Sequence, residues 1–239
     1  MTRQPYVKRP LPEALSRSTA QGWAVGEPIA QFELGPYRNF VYVVIDWASR
    51  KALWIDPAIE VAPILQGLQD HQLELAGVAL THTHHDHIAG LPALLTNLPN
   101  TIVHLHAAEA HRLKLPQKTR LNIVEEGSRI PLGEATQLEV FHTPGHSAGE
   151  LCLRYITHAE HYLFTGDTLF IRECGRTDLP TGNDRDLFQT LQRIKNLPPE
   201  TIVLPGHHYA PECASRLEDE LQTSPPLLAQ TLEEFAALP

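Results

Sequence analysis

Apolar and polar positions along the chain alternate at two periods. IAQFEL (29–34), NFVYVVID (39–46) and ALWIDP (52–57) are rich in β-branched and aromatic residues and are bounded by Gly-Pro or charged turns. They predict three consecutive strands joined as hairpins. EVAPILQGLQDHQ (60–72) sets apolar residues at 61, 64, 65 and 68, a helical spacing. LAGVAL (75–80) predicts a buried strand, GLPALLTNL (90–98) a helix with Pro92 in its first turn, TIVHLH (101–106) a strand and AAEAHRL (107–113) a short helix. The second half repeats the scheme. QLEVFHTP (137–144), ELCLRYI (150–156), HYLFTGD (161–167) and TIVLPGH (201–207) read as strands, and DRDLFQTLQRI (184–194) as a helix. From Pro211 onward the pattern is helical, with a break at Pro225-Pro226. Strands with helices in both halves predict an α/β chain built as an αββα sandwich, two sheets face to face with helices outside. Residues 1–28 read as a partly extended arm, 29–210 as the main domain and 211–239 as a helical tail packed on it.

Composition narrows the classes. The 239 residues carry 42% hydrophobic side chains and a net charge of −9, which argues against a nucleic-acid or anionic-membrane binder. No run of eighteen apolar residues predicts a membrane span, and the first residues lack the apolar stretch of an export signal. Cys152, Cys174 and Cys213 are too scattered for a disulfide framework, so a reducing cytoplasm is expected.

The candidate chemistry is concentrated in LTHTHHDHIAG (80–90). Imidazole suits zinc and its neighbours, and carboxylate is a harder partner. His82 and His84 lie two apart after a strand and share a face if the segment is extended. Asp86 and His87 are adjacent, so one turn of backbone aims them at a second point. Three further strand ends carry a ligand-type residue beside glycine: His146 in TPGHSAG, Asp167 in FTGDTLF and His207 in LPGHHY. Loops at strand ends on a rigid scaffold are where sites gather.

In this order and spacing, HTHHDH, TPGHSAG, TGDTLF and PGHHY resemble the metallo-β-lactamase fold superfamily. The resemblance implies that His82, His84 and His146 hold one divalent cation, that Asp86, His87 and His207 hold a second, and that Asp167 bridges them. His85 fills the variable position, with a structural or solvent role. Zinc is the expected metal, with iron or manganese also accepted by these donors. Two cations roughly 3.5–4 Å apart share a water and lower its pKa towards about 7, with Asp86 as the catalytic carboxylate that holds its proton. A thiolate leaves readily, so a thioester suits such a site without a strong general acid.

The following IRECGRTDLPTGND resembles glyoxalase II (hydroxyacylglutathione hydrolase) and also the persulfide dioxygenases. By that resemblance Arg176 and Tyr209 contact glutathione, and Arg172 adds positive charge. A small-molecule thioester or glutathione conjugate is the expected partner, with a homodimer possible. Thr177 and Asp178 replace the aromatic residues usual in glyoxalase II, and GRTD is closer to persulfide dioxygenases and to shorter bacterial hydrolases. Leu179-Pro180 and TGND lean towards the hydrolases. Arg216 is the last cation, so the acidic tail lacks the usual basic grip on glutathione. The rival enzyme is a persulfide dioxygenase with a single Fe(II) on His82, His146 and Asp167. A non-catalytic metal-binding module is the alternative of another class.

Overall fold

Hydrophobic alternation in the first half of the chain resolves into one six-stranded sheet, and in the second half into another. The computed structural model describes residues 10–12, 15, 22–134 and 136–238. The first sheet holds β1 (Ile29–Leu34), β2 (Asn39–Asp46), β3 (Lys51–Ile55), β4 (Glu74–Ala79), β5 (Ile102–His106) and β6 (Arg120–Val124), in that spatial order. Its first three strands are antiparallel neighbours, and β3 to β6 run parallel. The second sheet holds β7 (Arg129–Pro131), β8 (Gln137–His142), β9 (Leu151–Ile156), β10 (His161–Gly166), β11 (Ile202–Pro205) and β12 (Ser215–Arg216). Only β10 and β11 pair in parallel there.

Three apolar layers follow from side chains alternating across each sheet. Phe40, Tyr42, Val44, Leu53 and Ile55 of the first sheet meet Leu153, Phe164, Ile202 and Leu204 of the second in the interlayer core. The opposite face of the first sheet, with Val41, Val43, Trp54 and Val78, is covered by α1 (Ala62–Asp70) and α3 (Leu91–Asn97). The outer face of the second, with Cys152, Leu163 and Val203, is covered by α4 (Asp184–Ile194) and the tail. Layering is therefore helix, sheet, sheet, helix, an α/β sandwich of two mixed sheets.

Asn183 caps α4: its side chain accepts from the Asp186 N–H at 3.0 Å, and Asp184 and Asp186 lie in the first turn, where the helix dipole favours them. Three parts of the chain depart from the pattern. Residues 107–112 form a 3₁₀ turn. Strands β6 and β7 occupy a stretch whose apolar alternation is too short to be read without its neighbours. The tail opens with β12 and then divides into α5 (Leu217–Thr223), α6 (Pro225–Leu228) and α7 (Leu232–Ala236). Pro225 starts α6 instead of merely breaking a helix, because a first-turn residue needs no N–H donor. Most of the arm expected at 1–28 lies outside the described residues.

Candidate metal centre

Every strand end carrying a candidate ligand opens on the same rim of the sandwich. β4 leads into residues 80–84 and then a single helical turn, α2 (His85–Ile88), with His84 just before it in extended backbone. That turn carries Asp86 and His87 round to face the end of β11. The bend after β8 supplies His146, the end of β10 supplies Asp167, and the end of β11 supplies His207. Gly166 sits at φ +47°, and a Cβ there would lie 2.5 Å from Glu150 Oε1 and 2.7 Å from Thr81. Glycine is what lets the chain turn Asp167 inward at this point.

The ligand atoms gather in three overlapping groups: His82, His84 and His146; His82, His87 and Asp167; and Asp86, His87 and His207. Within each group they lie within 4.8 Å of one another. Their separations include 2.8 Å from His146 Nε2 to His84 Nδ1, 3.1 Å from His87 Nε2 to His207 Nε2, and 3.3 Å from His207 Nε2 to Asp86 Oδ2. Asp167 lies between the groups, 3.2 Å from His87, 3.5 Å from His146 and 3.4 Å from His207. A tetrahedral site with bonds of about 2.0–2.1 Å has ligand–ligand edges of about 3.3 Å. The buried His82 Nε2 and Asp167 Oδ1 have no hydrogen-bond partner. These donors fit a pair of divalent cations, and nitrogen with carboxylate oxygen suits zinc, iron or manganese.

Outer bonds orient the rings. His87 Nδ1 faces Asp56 Oδ2 at 3.0 Å, His207 Nδ1 donates to the Tyr37 carbonyl at 2.8 Å, and His146 Nδ1 donates to the Arg176 carbonyl at 2.7 Å. Each bond turns Nε2 towards the centre. With both Nδ1 atoms occupied as donors, His87 and His207 would set two lone pairs face to face at 3.1 Å unless a proton or cation lies between. Burial alone would lower both histidines, but Asp167 raises His87 well above the usual range, and Asp167 with Asp86 brings His207 up to about 9. Burial, with His146 next, pushes His84 down to about 4. Asp167 opposes burial through His87 and His207, which hold it well below the usual carboxylate range. Asp86 is held low in the same way, by His207, His87 and the Asn39 amide, which donates to Oδ2 at 2.9 Å.

The centre floors a cavity of about 620 Å³. Tyr209 stands at its mouth with its ring stacked on His207, centroids 4.8 Å apart, and Phe170 packs edge-on against both. Tyr37 lines the same wall. Arg176 lines the cavity from the opposite loop, its side chain exposed, in a two-bond pair with Asp178 at 2.5 and 2.6 Å. His85 reaches the lining, exposed, without joining a candidate ligand group. Arg172 does not line this cavity. Its guanidinium is engaged by Glu212 at 2.5 Å and its backbone N–H by Glu220 at 2.7 Å. Cys174 lines the cavity wall, and burial pushes its thiol up to about 12, so it keeps its proton.

Three supporting residues escape sequence reasoning. Asp56 accepts from the Thr81 N–H at 2.8 Å, the Thr81 hydroxyl at 2.6 Å and His87. Asn39 orients Asp86. Buried Glu150 accepts from the Asp167 N–H at 3.0 Å, and burial together with Asp167 raises it well above the usual carboxylate range. In sequence, Asp56 before Pro57 reads as an ordinary turn and Asn39 as a hairpin residue. Only tertiary contact assigns them to the site.

Known proteins resemble this chain. The chain is 34% identical over 175 residues to the hydroxyacylglutathione hydrolase of Enterobacter sp. (strain 638), a match covering 72% of this chain and 62% of that protein. The chain therefore spans less than two thirds of the length of that relative. The crystal structure of ETHE1 from Myxococcus xanthus superposes with a TM-score of 0.74 at 29% identity, covering 88% of this chain and 92% of the other. TTHA1623, solved in a di-iron-bound form, gives 0.68 at 32% identity, covering 82% and 98%. The model of the metallo-beta-lactamase superfamily matches residues 34–207, the span that contains every candidate ligand described above, and the chain belongs to that superfamily.

Proposed function

We propose that this chain is a metal-dependent thioesterase of the hydroxyacylglutathione hydrolase type, acting on glutathione thioesters or close analogues. The observation that carries the reading is the pair of ligand triads meeting at Asp167 beneath a cavity with Tyr209 and Arg176 at its mouth. His82, His84 and His146 would hold one divalent cation, and Asp86, His87 and His207 the other. Bound there, the pair supplies a nucleophile from water at neutral pH and polarises a carbonyl. Asp86 lines the cavity with Oδ2 tied to Asn39, which fixes the carboxylate that would accept a hydrogen bond from the attacking water and orient it. Arg176 offers a guanidinium to a substrate carboxylate by exchanging it for Asp178. Tyr209 presents a phenol, held neutral by burial and by Asp167 at up to about 12, beside His207. The named hydroxyacylglutathione hydrolase relative supports this substrate class.

The test is hydrolysis of S-lactoylglutathione by metal-loaded protein, followed as loss of thioester absorbance. We expect kcat/KM above about 10⁴ M⁻¹s⁻¹. No detectable hydrolysis by fully loaded protein overturns the reading. The second reading is a persulfide dioxygenase with one Fe(II) on His82, His146 and Asp167; the Cys174–Asp178 segment resembles those enzymes as well as the shorter bacterial hydrolases. Oxygen uptake with glutathione persulfide separates the two. A reducing, cytoplasmic setting fits the three free cysteines, and no helix among the described residues is long and apolar enough to cross a membrane.

A further inference from the structure

The outer edges of the two sheets are protected unequally. β7 has three residues and ends in Pro131, β12 has two residues, and β1 is buried over its first half. Short length, proline and burial are the ordinary ways a sheet edge is kept from adding a strand. β6 has none of them. It is five residues long, lacks proline, leaves Arg120 to Ile123 exposed, and pairs with β5 alone among the described residues. Leu121 and Ile123 are 42% and 48% exposed. They sit in register with Val103 and Leu105, which belong to the helix-covered layer, so both lie on the outer face beyond the helices.

The sequence around this edge is complementary to itself when reversed. Lys118-Thr-Arg-Leu-Asn-Ile-Val-Glu-Glu126 carries cations at one end, carboxylates at the other and Asn122 at its centre. We propose that β6 is a homodimer interface, at which a second copy of this chain adds its own β6 antiparallel about a two-fold axis through Asn122. The two six-stranded sheets would then join into one of twelve. This register sets Leu121 against Ile123 of the second copy, twice, on one face. It also sets Lys118 opposite Glu126 of the second copy at both ends, where Lys118 would share the carboxylate with Arg193, 2.8 Å away, and sets Arg120 opposite Val124. A two-fold interface needs a surface that matches itself, and this segment does. A parallel pairing would set like charges together. Opposed apolar and charged pairs on adjacent strands each contribute roughly 0.2–1 kcal/mol. A five-residue ladder is small beside the about 1,200–2,000 Å² of a standard interface, so the expected dimer is micromolar.

Sedimentation velocity on the metal-loaded full chain tests this. Wild type should move from the 26.7 kDa monomer towards twice that mass as concentration rises to about 100 µM. Ile123→Lys should raise the dissociation constant at least tenfold while leaving metal content and thioester hydrolysis per chain unchanged. Cysteine trapping fixes the register. Opposed Cα atoms in an antiparallel pair are about 4.5–5.5 Å apart, within disulfide reach. Asn122→Cys should give a cross-linked dimer with diamide, whereas Lys118→Cys and wild type should not. A monomer at every concentration without cross-linking of Asn122→Cys overturns the proposal. So does a dimer that survives Ile123→Lys.

Discussion

Asp56 Oδ2 lies 3.0 Å from His87 Nδ1, at a residue held in the left-handed region at φ +50°. The carboxylate also receives both polar hydrogens of Thr81, so it ties the start of the ligand loop to one ligand ring. Such partners typically set 10–100-fold of metal affinity. Asparagine tolerates the same backbone, so Asp56→Asn removes the charge without adding strain. We expect metal affinity to fall by about tenfold or more, with the fold retained, as read by competitive chelator titration and circular dichroism.

Asn39 makes the matching contact on Asp86. Asn39→Leu leaves Oδ2 free to rotate away from its working position. The expected result is loss of about half of the bound metal after dialysis, because only the Asp86, His87 and His207 group is affected. His82→Ala or Asp167→Ala, by contrast, should strip metal and hydrolysis together. Elemental analysis distinguishes the two patterns, and full retention in either ligand variant refutes the assignment of that ligand.

Arg176 and Arg172 are four residues apart and face different surroundings. Arg176→Ala should raise KM for glutathione thioesters with metal content unchanged. Arg172→Ala should leave KM alone and lower stability modestly, because it removes the pair with Glu212. Steady-state kinetics on both variants decides the matter; equal KM effects refute this division.

His104 gives a pH prediction for stability. Its ring is buried in the first sheet, where Asn122 donates to Nδ1 at 2.9 Å, and burial pushes it down to about 4. In the unfolded chain it titrates near 6.5. Between those values the unfolded state binds more protons, so this contribution is fully present above about pH 6.5 and is lost as pH falls towards 4. Urea midpoints should drop across that window, and His104→Leu should flatten the drop.

Much of the architecture, and the residues that cluster at the candidate centre, are legible in the sequence, for different reasons. Strands such as NFVYVVID and the α4 pattern announce themselves because one face is buried and the period is long enough to count. The candidate ligands are legible because histidine, aspartate and glycine recur at strand ends. β6 is not, because its apolar residues stay exposed and its order comes from pairing with β5. Asp56, Asn39 and Glu150 are not, because their roles depend on residues 31, 47 and 17 positions away, respectively. Arg172 shows the converse limit. Four residues from Arg176 in the chain, it is turned by its own left-handed backbone, φ +64°, towards Glu212 and out of the cavity.

Each ligand group draws members from both layers of the sandwich. His87 follows β4 of the first sheet and His207 follows β11 of the second, 120 positions along the chain, yet their ring nitrogens are 3.1 Å apart. A cation held there is a removable clamp across the two halves of the molecule. Ligation that exists only in the folded state adds stability by mass action, about 2.7 kcal/mol when free metal is a hundred times its dissociation constant. Stripping the metal should therefore loosen the seam where Tyr42 meets Phe164, lower the melting temperature and admit proteases. The supply of metal would then govern how long each molecule lasts, and not only how fast it works.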